Sequence, residues 1–190
     1  MQIQINDKTF DLPTLKTLML GDYQEIQNLI ASKKDSLTTN AKILEILGID
    51  QKTSLALPLH QFNELVDFAF KVFEEQPKDT NEIGHITIKK KSFEFRKEFL
   101  NISTAEFIDI DTLLSGDTAN NLHLVLAILF RPKGRKKDYD ASLIEARGSL
   151  FQKHLDMETV FQCLGFFLTF ANIFSHLTQE YLANLSKPKK

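Results

Sequence analysis

Ile3-Gln4-Ile5-Asn6-Asp7-Lys8-Thr9-Phe10-Asp11-Leu12 and, about eighty residues later, Ile86-Thr87-Ile88-Lys89-Lys90-Lys91-Ser92-Phe93-Glu94-Phe95 read as one hairpin written twice. In both, apolar residues alternate with polar ones on either side of a polar centre that favours a tight reversal. A second match follows each hairpin, Gly21 to Ile26 against Ala105 to Ile110, with a slip of one residue between the strand part and the helix part. Apolar patterning alone makes unrelated segments look alike, so duplication and chance likeness both stay open. A hairpin-then-helix unit used twice describes a scaffold with two related surfaces, which suits an interaction protein better than a catalyst.

Working outward from the hairpins, the periodicity predicts mostly helix. Leu20, Tyr23, Ile26 and Ile30 come close to helical spacing and predict a helix from about Leu20 to Ser32. Thr39-Asn40 is read as the cap of a short helix through Ile43, Leu44, Ile46 and Leu47, stopped by Gly48. Pro58 suits the first turn of a third helix carrying Phe62, Leu65, Val66, Phe68, Ala69, Val72 and Phe73. After the second hairpin, Ser103 and Glu106 form a capping-box pattern, and Phe107, Ile110, Leu113 and Leu114 give the helix behind it an apolar face ended by Gly116.

Asn120 to Phe130 is apolar enough to sit at the centre of the C-terminal core, with Arg131-Pro132 closing it. Asp140 then opens a helix through Leu143, Ile144 and Leu150, and Asp156 caps a long Phe-rich helix to about Leu185. The expected fold is α+β, mainly α: two small β-hairpins and about seven helices around a C-terminal helical core. The expected organisation is an N-terminal hairpin-helix subdomain over 1–76, a linker over 77–84, a C-terminal hairpin plus helical core over 85–186, and a tail over 187–190.

Composition narrows the function classes. The chain has 190 residues, 43% hydrophobic and 25% charged, which is the globular range. A net charge of -2 argues against a dedicated nucleic-acid binder, whose domain is usually strongly basic. Sixteen Phe against no Trp and three Tyr describe a core of purely apolar rings. Cys163 is the one cysteine, so no internal disulfide forms, which fits a reducing compartment. Met1 to Asp7 lacks the basic and apolar regions of a signal peptide. Val160 to Phe174 falls short of the roughly 20 apolar residues of a membrane span, so no membrane association is expected.

No pattern of residues points to catalysis, a metal or a cofactor. His60, His85, His123, His154 and His176 lie far apart and without partners at ligand spacing. His154, Asp156 and Glu158 straddle a predicted helix start, where acids serve as caps. Asp109, Asp111 and Asp117 suggest a cation only weakly, since the first two point to different faces of a helix. The glycines are isolated, which excludes a phosphate-cradling loop. Arg147 stands apart as a partly buried cation expected to pair with Glu145, Asp140 or a helix end.

The concentrated charge feature is Arg131, Lys133, Arg135, Lys136 and Lys137. Such a loop meets phosphates or an acidic partner surface, or is simply solvated between two helices. It has no interleaved aromatics for base stacking.

Asn120-Asn121-Leu122-His123, Leu129-Phe130-Arg131-Pro132, Tyr139-Asp140, Arg147 and Phe166-Phe167-Leu168, together with the opening hairpin, Pro13 and Tyr23, resemble small proteins encoded among the virion and tail-assembly genes of tailed bacteriophages, notably crAss-like phages and marine podoviruses. The resemblance runs in order over most of the chain. It implies a non-enzymatic virion or assembly role, as a tail or neck component or an assembly chaperone, with other virion proteins as partners, self-association possible, and a place in the virion or host cytoplasm. It carries no catalytic residues. The alternative function is a nucleic-acid-binding accessory protein using the 131–137 loop.

Overall fold

The structure is a computed structural model that describes residues 1–5, 7–32, 36–74, 85–95, 102–134 and 139–163. The expected linker over 77–84, loop residues Arg135, Lys136 and Lys137, the last helix beyond Cys163 and the tail over 187–190 lie outside the described residues.

Both hairpins form, and in the same register. β1 (Gln2–Ile5) pairs antiparallel with β2 (Lys8–Asp11), placing Ile3 opposite Phe10 and Ile5 opposite Lys8. β3 (His85–Ile88) pairs likewise with β4 (Lys91–Phe95), placing Ile86 opposite Phe93 and Ile88 opposite Lys91. Because side chains alternate across a strand, this register buries Ile5 and Phe10 in one hairpin and Ile88 and Phe93 in the other. Each hairpin leads to a helix of 12 residues, α1 (Leu20–Ala31) and α5 (Thr104–Ser115). Ile26 and Ile110, matched in sequence, are both buried.

Four further helices follow from local chemistry. α2 (Ser36–Ile46) begins upstream of Thr39 and Asn40, which lie inside the helix and do not cap it. Their weak helix propensity is outweighed by the buried face of Ala41, Ile43 and Leu44. Gly48, at φ +96°, ends the helix as expected, with the Ile49 N–H donating to Leu44 O at 2.8 Å. α3 (Gln51–Leu55) was not foreseen; Asp50 caps it by accepting from Thr53 N at 2.9 Å. α4 (Leu59–Phe70) follows Pro58 and tightens into a 3-10 turn over Lys71–Phe73. α6 (Thr118–Leu129) is capped by Asp117 and buries six apolar residues in succession from Leu122 onward, His123 and Leu124 apart.

The chain after α6 supplies an element the periodicity did not reveal. β5 (Phe130–Pro132) adds to β4 as a third antiparallel strand, with Phe93 opposite Pro132 and Phe95 opposite Phe130. A 3-10 turn at Ala141–Leu143, opened by Asp140, leads into α7 (Ile144–His154). Asp156 then opens α8 (157–163), accepting from Thr159 N at 2.9 Å as expected of a cap. The architecture is α+β and mainly α, with a two-stranded and a three-stranded antiparallel sheet. No helix among the described residues is long and apolar enough to cross a membrane.

α7 is the element on which both halves close. Phe151 is fully buried and meets the second sheet edge-on, its ring 5.1 Å from that of Phe93 and 5.8 Å from that of Phe130. On the other side a backbone seam joins the N-terminal segment to the chain after α7. Leu20 N–H donates to Leu155 O at 2.8 Å, Met157 N–H to Leu18 O at 2.9 Å and Glu158 N–H to Leu15 O at 3.0 Å. α1 approaches α7 closely where Gly21 leaves out a side chain: a Cβ there would sit 2.9 Å from the Gln152 carbonyl oxygen.

In an isolated helix, alanine would gain about 1 kcal/mol over glycine. At position 21 the clash is with backbone, which cannot swing aside, and overpacking costs about 1–3 kcal/mol. Gly21→Ala should therefore lower stability, read as a fall in the urea midpoint at unchanged slope. A rise in the midpoint would contradict the close packing of α1 on α7.

Candidate functional site

The residues singled out in the sequence separate into an internal polar framework and an external basic end. In the framework, Glu106 of α5 is 2% exposed although charged. It completes the capping box with Ser103, taking the Ser103 backbone N–H and hydroxyl at 2.8 Å each, and its other oxygen is ion-paired with Arg131 of β5. Burial pushes the Glu106 carboxyl up, but the bonds from Ser103 and the Arg131 guanidinium outweigh it, so the group is held below its ordinary value. This pairing turns Glu106 and Ile110 inward and leaves Phe107, expected on the apolar face, 42% exposed.

Tyr139 donates to Asp109, and both burial and that carboxylate raise its phenol well above the usual range. Arg147 reaches a helix end, as one of its expected alternatives had it: it donates to Ala127 O at 2.5 Å and Phe130 O at 3.2 Å, the last carbonyls of α6 and the start of β5. Asp117 is the cap of α6. Among the described residues no group of three His, Cys, Asp or Glu is placed to hold a metal ion.

His123 and the His154 group are structural in their contacts. Gln24, 2% exposed, donates to Ala119 O at 2.7 Å and Asn120 O at 3.0 Å, and its amide nitrogen lies 3.1 Å from His123 Nδ1, while its oxygen accepts from Gln152 Nε2 at 2.8 Å. Burial lowers the His123 pKa, favouring the neutral ring. His154 ends α7 exposed to solvent, Asp156 caps α8, and Glu158 pairs with Lys16 at 3.4 Å. Cys163 is buried, and desolvation followed by the nearby Asp156 charge pushes its thiol up to about 12, which suppresses the nucleophilic thiolate. Among the described residues no buried side-chain nitrogen or oxygen lacks a hydrogen-bond partner.

The external end is built by strand pairing. Antiparallel β4 and β5 place the β3–β4 turn beside the exit of β5, and Lys133 N–H extends the ladder by donating to Ser92 O at 2.9 Å. Lys89, Lys90 and Lys91 therefore meet Lys133 at one end of the sheet, all four exposed. None of the four makes an ion pair among the described residues, whereas Arg131 is committed to Glu106. The three turn lysines are members of the basic site that the linear reading of the 131–137 loop missed. In the sequence their run reads only as a reversal; the pairing that brings it to Lys133 depends on β5.

The turn has a further cost. Lys89 and Lys90 lie at φ 48° and 65°, the left-handed region required at both centres of a two-residue hairpin turn and favoured by Asn-Gly. Beside the turn, Lys91, Phe93, Pro132, Leu143, Arg147 and Leu150 line an open groove of 450 Å³ between the sheet and α7. The arrangement can seat an apolar side chain and hold negative charge at its rim. No family model, curated protein or solved structure matches this chain.

Two outcomes follow. A left-handed residue bearing a side chain costs about 1–2 kcal/mol relative to glycine, so Lys89→Asn with Lys90→Gly should raise the thermal midpoint while removing two surface charges; no gain would contradict the turn geometry. Glu106→Ala leaves Arg131 without its carboxylate and should cost about 3–5 kcal/mol near neutral pH by denaturant titration. Because Glu106 is held below its ordinary 4.5 in the fold, the unfolded chain takes up the proton first as pH falls. Its contribution is whole above 4.5 and is lost as pH drops toward the folded value, so the gap between wild type and Glu106→Ala should narrow in acid. A gap that widens there would refute the assignment.

Proposed function

We propose that this chain is a non-enzymatic protein of a tailed-bacteriophage particle or of its assembly, working by contacts with other virion proteins in the virion or the host cytoplasm. The observation that carries the contact reading is the division of labour among polar groups. Among the described residues, those inside are committed to holding helices and strands together, while lysines without ion pairs and an open apolar groove meet at one end of the second sheet. The phage assignment rests on the resemblance. Its quoted residues Asn120, Arg131, Tyr139 and Arg147 are also those that bond across elements here, to Asn28, Glu106, Asp109 and the end of α6.

A second reading, nucleic-acid binding, is favoured by the gathering of Lys89, Lys90, Lys91 and Lys133. Against it stand the net charge of -2 and the burial of Phe93, the one aromatic ring among the described residues lining the groove, which takes it out of reach of a base.

Particles purified from an infected culture, and cross-linked lysates taken during assembly, test the proposal. The chain should be found in the particle or cross-linked to a virion protein before completion; its absence from both would end the phage assignment. In parallel, oligonucleotide binding should be undetectable at low salt. Binding whose logarithm falls against log salt with a slope of about -3 to -4, and which is lost on replacing the turn lysines by alanine, would establish the second reading instead.

A further inference from the structure

The groove at the basic end has a counterpart on the same chain. Between α3 and α4 the backbone turns through Leu55-Ala56-Leu57-Pro58-Leu59, five apolar residues in succession at an exposed corner, with Leu55 57% and Leu59 62% exposed. Leu57 packs against the core and Pro58 precedes α4, but Leu55 and Leu59 project from the corner, exposed among the described residues. The exposed side of α4 continues from it with His60, Asn63, Glu64 and Asp67, spaced three and four apart and therefore on one stripe. Lys71, the next member of that stripe, lies over the Phe68 ring at 5.3 Å. The corner thus offers projecting leucines flanked by two exposed carboxylates.

We infer that a second copy of this chain docks its α3–α4 corner, Leu55 to Leu59 with Glu64 and Asp67, into the groove beside Lys89, Lys90, Lys91 and Lys133. The occupant is chosen by complementarity on both counts. The groove is apolar along Phe93, Pro132, Leu143 and Leu150 and its rim is cationic, while the corner is apolar at its tip and anionic behind it. The two surfaces share no residue, so the contact is heterologous: one copy gives its corner and offers its groove to the next, which builds a ring if the rotation closes and a filament if it does not. The Lys-Lys turn then has a reason. Asn-Gly would form the reversal with less strain but would remove the charge that meets Glu64 and Asp67. This deepens the contact-protein reading and rests on it only for the partner being protein.

Sedimentation velocity over a range of concentrations at low salt tests it, using the full chain, a groove variant (Lys89→Glu, Lys90→Glu, Lys91→Glu) and a corner variant (Glu64→Lys, Asp67→Lys). All five positions are exposed, and circular dichroism checks that each variant folds. Wild type should self-associate increasingly with concentration and less at high salt, and each variant alone should associate at least about tenfold more weakly, since opposed like charges cost more than the lost attraction. The decisive arm is the equimolar mixture. The corner variant keeps an intact groove and the groove variant an intact corner, and the reversed charges of the two variants are also opposite in sign, so the mixture should recover the association that neither variant shows alone. Leu59→Ser, which alters no charge, should weaken wild-type association as well.

A wild type that stays monomeric, variants that associate like wild type, or a mixture that remains monomeric would each overturn the inference. A monomer whose groove cross-links to a different virion protein would overturn self-association and leave the contact reading standing. A monomer that binds an oligonucleotide through the turn lysines would overturn both.

Discussion

The buried amide of Gln24 sets the frame on which the rest of the molecule hangs. A side-chain amide taken out of water without partners costs on the order of 2 kcal/mol or more, so its position must answer all of its bonding capacity at once. Gln24 does so with two carbonyls at the start of α6, the ring of His123 and the amide of Gln152 on α7. A shift of α1 along either helix would break several of these bonds together, whereas a purely apolar contact would tolerate sliding. Asn28 and Asn120, bonded reciprocally at 2.9 and 2.6 Å, repeat the constraint one turn further along. With α1 fixed, Gly21 meets Gln152, the seam from Leu15 to Leu20 closes on 155–158, and α7 is left in the one position from which Phe151 reaches the second sheet.

The two hairpin-helix units show how a repeated plan diverges once its surroundings differ. Register, strand pairing and helix length are shared, and Ile26 and Ile110 keep the same buried role. The neighbouring matched pair has parted: Gln24 is buried and fully bonded, while Ile108 is 56% exposed. The partners decide this difference. α1 meets α6 and α7 with a polar side chain among helix-start carbonyls, whereas α5 turns Glu106 toward Arg131 and swings Ile108 outward. The tips differ as well. Asp7 and Lys8 balance in the first hairpin, while the second concentrates three lysines, so matched tips carry different charge.

What was legible in the sequence was what neighbours in the chain determine. The alternation of Ile86, Ile88, Phe93 and Phe95 marked a hairpin, Ser103 with Glu106 marked a capping box, and Asp156 marked a helix start, because each depends on residues within a few positions. β5 was not legible: three residues ending in proline carry no strand period, and Phe130 to Pro132 become a strand only because β4 offers a free edge. The basic site was half legible for the same reason. The 131–137 run advertised itself, yet its first member is internal, and the lysines that join Lys133 come from a turn more than forty positions earlier in the chain. α3 was missed because five residues hold too little periodicity, although its Asp50 cap was there to be read.

Net charge is a poor guide here because the fold sorts charge by position. At -2 the chain is nearly neutral, but Arg131 is paired inside while Lys89, Lys90, Lys91 and Lys133 gather at one end of the second sheet as a local excess. If solubility alone were served, those charges would be equally useful on any helix face and at lower conformational cost than at φ 48° and 65°. Their location at the mouth of an apolar groove is therefore the informative part. A charged rim around an apolar floor contributes little to folding, since the floor would be better filled by the chain's own side chains. In the association proposed above, the rim orients an approaching carboxylate and the floor holds what the carboxylate brings with it.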